Sequence, residues 1–440
     1  MIELILIIFQ LSLFIILFSI NPFIINKISY DQTSVSYNEN ISFNFLIFAN
    51  LILILSFFNL KIKKIINIYL IYISLFYFIL LTKKFSTISK TNKKDYFYDF
   101  IILFLFSAVV LIDISNKLVI SWDAEKFWLN KTLSFYNGFS IENLQNLNRT
   151  HYPFLGGLIN SFFWKLSFID FEYSNRLILG FIYCLSLILL IENLLISKIY
   201  KLIFLLLFLI ITYDYYKLFS GNQEILIFSF ICFTINSFYK IKNKKNINLN
   251  IFIILLSCNL LIWTKQEGMF YAFFIILTLF FVKNFKLKEK FYLLMFLFLI
   301  LSIKIIIFKI YNLDISLNKN VAHNLSFESL LSKLEFNRVI MIFKYFIFAL
   351  FQNYYLLFGL VLLLINKILR NQNLYIDFYI LINLSFIFLV YLFVDHPNVT
   401  QEFILKTGIE RIIFNISPII ILVFIEIINK KKSIFNKYYG

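Results

Sequence analysis

Long apolar runs limit this chain of 440 residues to one class of fold. Segments of about twenty residues with almost no charge recur along most of the sequence. The stretches LIFLLLFLII (202–211) and FYLLMFLFLIL (291–301) have no polar face. A helix on the surface of a soluble protein keeps a polar side, whereas a helix surrounded by lipid needs none. The sequence therefore predicts an all-α protein, a polytopic transmembrane helical bundle.

The net charge of +17 follows from membrane topology and does not indicate a nucleic-acid partner. Roughly half of the lysine and arginine residues fall in six short segments that contain almost no acids. By the positive-inside rule these segments face the cytoplasm. They are 83–94, 198–201, 240–245, 283–290, 367–370 and 430–437.

The remaining connections carry most of the acidic residues, mixed with bases, and are predicted to face outward. They are 113–176, 213–224, 264–268, 311–337 and 395–411. Alternation between the two sets of loops predicts about thirteen spans, with the C-terminus inside. The predicted spans lie near 3–26, 43–60, 65–82, 100–118, 177–197, 202–218, 225–240, 249–263, 269–283, 291–310, 354–368, 375–394 and 411–429.

This alternation holds only if residues 152–168 (YPFLGGLINSFFWKLSF) do not cross the membrane. If they crossed, every later basic loop would face outward. Gly157, Ser161 and Lys165 share one face of a helix here and form a narrow polar stripe. We therefore expect an interfacial helix in the first large outward loop, lying flat on the outer surface.

The N-terminal third does not follow the rule. The segment KIKK (61–64) and the loop that starts at Lys83 both look cytoplasmic, yet one apparent span separates them. Either 65–82 is a hairpin or half-helix, or the basic signal fails locally. The chain thus divides into N-terminal segments whose topology the rule leaves open, a transmembrane module, and a basic cytoplasmic tail. These parts are 1–99, 100–429 and 430–440.

The largest outward loop contains the stretch SWDAEKFW, in which three charges lie between two tryptophans. If a helix covers 123–136, Asp123 and Lys131 share one face, and Glu125 and Trp128 lie on another. A carboxylate at the mouth of an apolar bundle binds a proton more tightly than in water and acts as a base toward a hydroxyl. Asp123 is therefore the strongest candidate for a catalytic base. The structural alternative is that Asp123 caps this helix and Glu125 strengthens its first turn.

The other outward loops also contain charged residues beside the predicted spans. Lysine and arginine at this depth are suited to bind the phosphate of a membrane lipid. The candidate substrate-binding residues are Arg149, His151, Tyr152, Glu224, Lys265, Glu267 and Arg411. The alternative for two of the bases is snorkelling or a surface ion pair, Lys265 with Glu267 and Arg411 with Glu410.

Two remaining groups of residues receive a structural interpretation. The three histidines fall in three separate loops, so the sequence predicts no metal site. Lys304, Lys309 and Lys344 are interpreted as lysines whose ammonium groups snorkel outward along apolar helices.

In order and content, these segments resemble the GT-C superfamily of membrane glycosyltransferases, which includes the protein mannosyltransferases and the aminoarabinose transferases. A span leads into a loop of the form aromatic, Asp, x, acid, here WDAEKFWLNK. A Tyr-Pro element follows in HYPFLGGLINSFFWKL, and Arg176 then starts the next span. Downstream, SGNQEILIFSF, WTKQEG and GIERIIFNISPI resemble the family's Gly-x-acid, Lys-x-Glu-Gly and late Arg-containing segments.

The resemblance implies an inverting glycosyltransferase of the inner membrane whose catalytic face is periplasmic or extracellular. It makes Asp123 the catalytic aspartate, with Glu125 in the second acidic position, and assigns the donor phosphate to Lys265, Arg411 and Arg149. The implied partners are a polyprenyl-phosphate sugar donor, a glycan, lipid or protein acceptor, and membrane lipids. A divalent cation is compatible with the resemblance, and no other cofactor is implied.

Two other functions stay open. A polysaccharide polymerase or ligase also acts on lipid-linked sugars, but it is expected to carry a longer late outward loop rich in arginine and histidine. A transporter or flippase for lipid-linked sugars is expected to show paired broken helices and an inverted repeat, and the sequence has neither signal.

Overall fold

The computed structural model describes residues 2–19, 35–82, 93–147, 149–213, 220–282, 287–314, 334–352, 354–368, 374–393 and 400–439. These residues form an all-helical structure without strands, as the apolar runs predict. The α-helices are α1 (Ile2–Phe18), α2 (Tyr37–Phe57), α3 (Ile62–Thr82), α4 (Lys93–Asn116), α5 (Asn130–Tyr136), α6 (Leu155–Leu166), α7 (Ser174–Glu192), α8 (Lys198–Tyr213), α9 (Glu224–Lys242), α10 (Ile247–Thr264), α11 (Glu267–Leu279), α12 (Leu287–Ile310), α13 (Phe336–Gln352), α14 (Tyr354–Ile368), α15 (Leu374–Phe393), α16 (Gln401–Ile416) and α17 (Pro418–Tyr439). A π-helical segment, Ala124–Leu129, leads into α5, and a short 3-10 helix, Ile141–Asn146, follows it.

Seven of the described helices are long and apolar enough to cross a membrane. They are Tyr37–Phe57, Phe97–Asn116, Ser174–Glu192, Glu224–Lys242, Ile247–Thr264, Leu287–Ile310 and Leu374–Phe393. An eighth span results if α16 and α17, which are bent by 42° at their junction, cross together. The chain is thus a multi-pass helical membrane protein.

The number of spans is smaller by this criterion than the sequence predicts because several apolar helices are short. Glu3–Phe18, Glu267–Leu279 and Leu357–Ile368 are apolar but fall below the length of a full span. A helix of 13 residues such as α11 reaches about 20 Å, whereas the hydrocarbon core is about 30 Å thick. The total of about thirteen spans therefore stays a prediction.

Contacts between loops and helix ends define the two ends of the helical bundle. At one end, Asn59 Nδ2 in the turn after α2 donates to Glu142 Oε2 in the largest loop at 2.8 Å. We call this the site end. At the other end, Lys242 Nζ lies 2.6 Å from Glu426 Oε1, and Lys240 contacts Glu39. We call this the basic end.

The position of Asn59 settles where the KIKK segment lies. KIKK follows directly after the turn and begins α3, so it is at the site end together with the loop predicted to face outward. Helix α3 runs unbroken from Ile62 to Thr82. The hairpin alternative for 65–82 is therefore wrong, and the positive-inside rule cannot hold both for KIKK and for the largest loop, because they lie at the same end. The basic loop that starts at Lys83 lies outside the described residues up to position 92.

Helix α6 is enclosed by protein and does not lie on the outer surface. Its residues from Leu155 to Trp164 are all buried, and it packs against α2, α3, α5, α7 and α10. A Cβ atom on Gly157 would lie 3.0 Å from Lys131 Cβ, so this glycine allows α5 and α6 to approach closely. Of the predicted polar stripe only Lys165 is exposed. The expected interfacial helix is thus corrected to a buried helix of 12 residues.

The centre of the bundle is formed by α7 and α9. Every residue of α7 from Ser174 to Ile191 is buried, and the helix packs against α4 and α9. Helix α9 in turn packs against α10. Because these central helices are surrounded on nearly all sides, the residues at their site end are held in place by packing. Glu224, the first residue of α9, is one of them.

Candidate active site

Charged side chains from four separate segments meet at the site end. The guanidinium group of Arg411 contacts the carboxylate of Asp123, and its Nη1 lies 3.9 Å from Glu224 Oε1. Lys265 Nζ lies 2.9 Å from Glu224 Oε1 and 3.8 Å from Glu267 Oε1. We call these five residues the ion cluster. They include a pair that is 288 positions apart in the chain.

The ion cluster has a buried half and an open half. Glu224 and Lys265 are only 2% and 8% exposed, whereas the side chains of Asp123 and Arg411 are 30% and 28% exposed. Burial lowers the pKa of Lys265, but the carboxylates of Glu224 and Glu267 more than offset this, and the pKa lies above its usual value. Lys265 is therefore a buried cation and not a member of an exposed surface pair. The side chain of Glu410, the alternative partner of Arg411, lies outside the described residues.

Hydrogen bonds between two loops position Asp123 and Glu224. The backbone N–H of Ser121 donates to the carbonyl of Ser220 at 3.0 Å, and its hydroxyl donates to Asn222 Oδ1 at 2.8 Å. Ser121 lies two residues before Asp123, and Asn222 two residues before Glu224. This loop-to-loop contact therefore sets the separation of the two carboxylates.

A glycine makes the close approach of these loops possible. Gly221 has φ +89°, a backbone conformation that glycine adopts without strain, and a Cβ there would lie 3.0 Å from Ala124 Cβ. The buried Arg176 lies against the same glycine and donates to the carbonyl of Lys117 at 3.1 Å and to Glu172 Oε2 at 2.9 Å. Arg176 therefore links Lys117 and Glu172, which lie near the two ends of the largest loop.

The structure excludes the capping role for Asp123. Its side chain makes no cap hydrogen bond to the π-helical segment that follows and contacts Arg411 instead. Glu125 is not brought into the ion cluster, because its carboxylate is exposed and lies 3.2 Å from Lys126 Nζ. The prediction that Glu125 and Trp128 share a face is wrong, since Trp128 is buried. The π-helical turn is wider than an α-turn, so α-helical spacing misassigns these faces.

Tyr152 lies between the ion cluster and an aromatic group. Its ring is nearly parallel to that of Phe127 with centroids 5.7 Å apart, and the guanidinium carbon of Arg149 lies 4.9 Å from the Phe127 centroid. Burial raises the pKa of the Tyr152 hydroxyl, and the charge of Glu267 adds to the shift. Tyr152 is thus a neutral hydrogen-bonding group, and Arg149 lies on the aromatic side of the site and not in the ion cluster.

His151 lies at the edge of the site. Its ring centroid is 4.7 Å from that of Tyr152, and its backbone carbonyl accepts a hydrogen bond from Gln266 Nε2 at 3.5 Å. Burial lowers the pKa of His151, and the charges of Arg149 and Lys131 lower it further. The imidazole is therefore neutral at pH 7. Its Nε2 atom is buried and has no hydrogen-bond partner among the described residues.

Two buried lysines beneath the site were not predicted as site residues. Lys131 is 1% exposed and donates to the carbonyl of Tyr152; burial, together with the charge of Lys304, lowers the pKa of Lys131 to about 7. Lys304 does not snorkel outward: it is buried, and its Nζ donates to the carbonyl of Ile262 at 2.8 Å. A lysine in the middle of an apolar helix was the sequence signal that could have identified Lys304.

The residues of the site do not fit a divalent cation. Among the described residues there is no group of three or more histidine, cysteine, aspartate or glutamate side chains arranged to hold a metal ion. The carboxylates of Asp123 and Glu224 pair with the cations Arg411 and Lys265.

The fold and the ion cluster define a multi-pass helical membrane protein with a charged, partly open site at one end of its bundle. No protein-family model, no curated protein and no solved structure matches the sequence.

Proposed function

We propose that the protein is an inverting membrane glycosyltransferase that moves a sugar from a polyprenyl-phosphate donor to a hydroxyl of a glycan, lipid or protein acceptor. In the predicted topology the reaction takes place at the outer face of the inner membrane. The observation that carries the proposal is the ion cluster, in which the partly exposed carboxylate of Asp123 contacts Arg411, and a second cation, Lys265, pairs with the buried Glu224. A reaction between a lipid phosphate and a hydroxyl requires these two kinds of group.

The proposed reaction uses Asp123 as the general base. Arrival of the donor phosphate draws the guanidinium group of Arg411 away from Asp123, which frees the carboxylate. Asp123 then takes the proton from the acceptor hydroxyl while the hydroxyl oxygen forms a bond to the anomeric carbon. The bond between that carbon and the phosphate oxygen breaks, and the phosphate leaves with the electron pair. Arg411 and Lys265 stabilise the charge that develops on it.

The charge balance around the site supports phosphate binding. The ion cluster alone has three carboxylates and two cations. Arg149 acts electrostatically on Tyr152, so it belongs to the same environment. With it, three basic side chains accompany three carboxylates, and a phosphate that displaces Asp123 from Arg411 also meets Lys265 in the same cluster. Glu125 takes no step in this proposal because its carboxylate faces Lys126.

A second candidate function is transport of a lipid-linked sugar. The 42° bend between α16 and α17 lies within two helical turns after Arg411, and broken helices beside charged residues occur in transporters. Both functions use the same ligand class, so they are separated by the fate of the sugar. A transferase releases free polyprenyl phosphate, whereas a transporter leaves the donor intact.

The test is turnover by the purified protein. The protein is incubated in detergent with a panel of short-chain polyprenyl-phosphate sugars and hydroxyl acceptors, and mass spectrometry follows free polyprenyl phosphate. Asp123→Asn is expected to lower the rate by about 10²- to 10⁴-fold, the usual contribution of a general base. Glu142→Gln is the matched control, because it removes a carboxylate of the same loop that contacts Asn59 and lies outside the ion cluster.

Two outcomes would overturn the proposal. A folded Asp123→Asn protein with the wild-type rate would exclude Asp123 as the base. Complete absence of donor cleavage across the panel, combined with movement of intact donor across proteoliposomes, would favour the transporter instead.

A further inference from the structure

The basic end contains a cleft that has no part in the proposed reaction. It lies between α4, α7, α8 and the start of α2, and encloses about 470 Å³ of empty space including its open mouth. Its walls toward the middle of the bundle are apolar, with Ile102, Ile188 and Leu205 among them. Its other residues are polar or charged. A cleft with this division resembles a site for a molecule that is polar at one end and apolar at the other.

A fixed carboxylate forms the inner polar surface of the cleft. Glu192 Oε2 accepts a hydrogen bond from the hydroxyl of Ser36 at 2.8 Å, and Glu192 Oε1 accepts one from Asn38 Nδ2 at 2.5 Å. Each carboxylate oxygen has a second lone pair that can accept another donor. Both donors come from the start of α2, so they orient the carboxylate without neutralising its charge. This arrangement suits an ammonium group with several N–H donors.

Basic side chains form the opposite side. Lys201 Nζ donates to the backbone carbonyl of Glu192 at 2.7 Å, which holds the ammonium group at the cleft. Lys198 Nζ lies 4.5 Å from the ring centroid of Tyr98. Both lysines are in the first turn of α8, where the free backbone N–H groups of a helix also favour an anion. With Asp99, the cleft therefore contains two carboxylates and two ammonium groups.

The depth of the cleft restricts the ligand further. Glu192 is the last residue of a candidate span, and Phe97–Asn116, which supplies another wall, is also a candidate span. The ends of spans lie at the level of the lipid headgroups. Large apolar side chains of α8, namely Ile203, Leu206 and Ile210, are exposed and continue from the cleft along the bundle. They offer a surface for acyl chains next to the polar cleft.

We propose that this cleft binds the zwitterionic headgroup of an aminophospholipid, a phosphate ester of ethanolamine, with its acyl chains along α8. The phosphate lies at Lys198 and Lys201, and the ammonium group donates to Glu192. An anionic headgroup without an amine brings no positive charge to Glu192, and a choline headgroup brings no N–H donor. The inference concerns a site at the other end of the bundle, so it is independent of the proposed reaction.

The experiment measures lipid selectivity by native mass spectrometry. The delipidated protein is titrated with phosphatidylethanolamine, its N-methyl and N,N-dimethyl forms, phosphatidylcholine and phosphatidylglycerol, all with the same acyl chains. We expect ethanolamine to bind at least tenfold more tightly than choline or glycerol, with affinity falling along the methyl series. Glu192→Gln should reduce the preference for ethanolamine over choline, because the amide keeps one acceptor oxygen but loses the negative charge. Lys198→Gln should weaken the binding of the ethanolamine, choline and glycerol lipids alike.

Lys367→Gln is the matched control, since Lys367 is another exposed lysine at a helix end, and it pairs with Asp377 outside the cleft. The methyl series uses the wild-type protein and therefore does not depend on whether a variant folds. Equal affinity along that series would overturn the proposal, as would tighter binding of phosphatidylglycerol than of phosphatidylethanolamine. An unchanged preference in a folded Glu192→Gln protein would also overturn it.

Discussion

Removal of Lys265 should cost much more stability than removal of its partner Glu224. Lys265→Met deletes the cation that lies 2.9 Å from the buried Glu224, so the net charge of the ion cluster falls from −1 to −2. Breaking a buried pair in this way costs about 3–5 kcal/mol. Glu224→Gln brings the net charge to zero, and Lys265 keeps Glu267 at 3.8 Å, so we expect a loss of about 1 kcal/mol, the value of one hydrogen bond.

The double variant separates the pair from its surroundings. Lys265→Met combined with Glu224→Gln leaves no unpaired charge at this position, so its cost should be smaller than the sum of the single costs by about 2 kcal/mol. The free energy of unfolding is measured by titrating the detergent-purified protein with sodium dodecyl sulfate and following far-ultraviolet circular dichroism.

Lys126→Met is the control for this series. Lys126 also pairs with a carboxylate, at 3.2 Å, but both side chains are about half exposed. An exposed pair contributes about 0–1 kcal/mol. If Lys265→Met costs no more than Lys126→Met, or if the two cluster substitutions are additive, the description of a coupled buried pair is refuted.

Three further predictions follow from the described contacts. Lys131→Met should raise the melting temperature more at pH 6 than at pH 9. Burial lowers the pKa of Lys131 to about 7, whereas the pKa of lysine in an unfolded chain is about 10.4. Between these two values the unfolded chain binds more protons than the folded one, so wild-type stability rises with pH and the benefit of the substitution shrinks. Gly268→Ala should lower the melting temperature strongly, with a cost of about 1–3 kcal/mol or more, because the new Cβ would lie 1.9 Å from the carbonyl oxygen of Leu261 and force α10 and α11 apart. In cells, an impermeant maleimide should label a cysteine placed at Lys63 but not one placed at Ile199. Both positions are exposed, but Lys63 lies at the site end and Ile199 at the basic end. Labelling of both positions from the same side would contradict the assignment of the two ends.

The sequence predicted local properties better than spatial ones. Apolar runs identify the helices because a lipid-facing helix must satisfy its backbone internally and present apolar side chains. They do not show which residues meet: the contact of Arg411 with Asp123 joins distant segments and depends on how α16 packs. The face of Trp128 was misassigned because the π-helical turn changes the angular spacing that an α-helix would have.

Two predictions made from charged residues conflict with the contacts for related physical reasons. The KIKK segment looked cytoplasmic, yet a single contact of Asn59 with Glu142 places the adjoining turn at the site end. The positive-inside rule is a statistical bias over loops, so one short loop can depart from it when tertiary contacts fix its position. Lys304 was taken to snorkel because long side chains usually do so, but the carbonyl of Ile262 at the end of α10 offers it a buried acceptor. In both cases a specific contact outweighs the general tendency.

Three buried acceptor atoms at the ion cluster have no hydrogen-bond partner among the described residues. Networks that serve stability close their hydrogen bonds, because an unpaired polar atom in the interior costs free energy. Here Glu224 Oε2 and Glu267 Oε2 are buried and have no hydrogen-bond partner among the described residues, and neither does His151 Nε2 nearby. All three atoms can accept a hydrogen bond, and sugar hydroxyls are hydrogen-bond donors. A bound sugar would therefore satisfy acceptors that the protein leaves open, while its phosphate would take the cations that now face carboxylates. Under the proposed function, these open acceptors favour a ligand that has both groups.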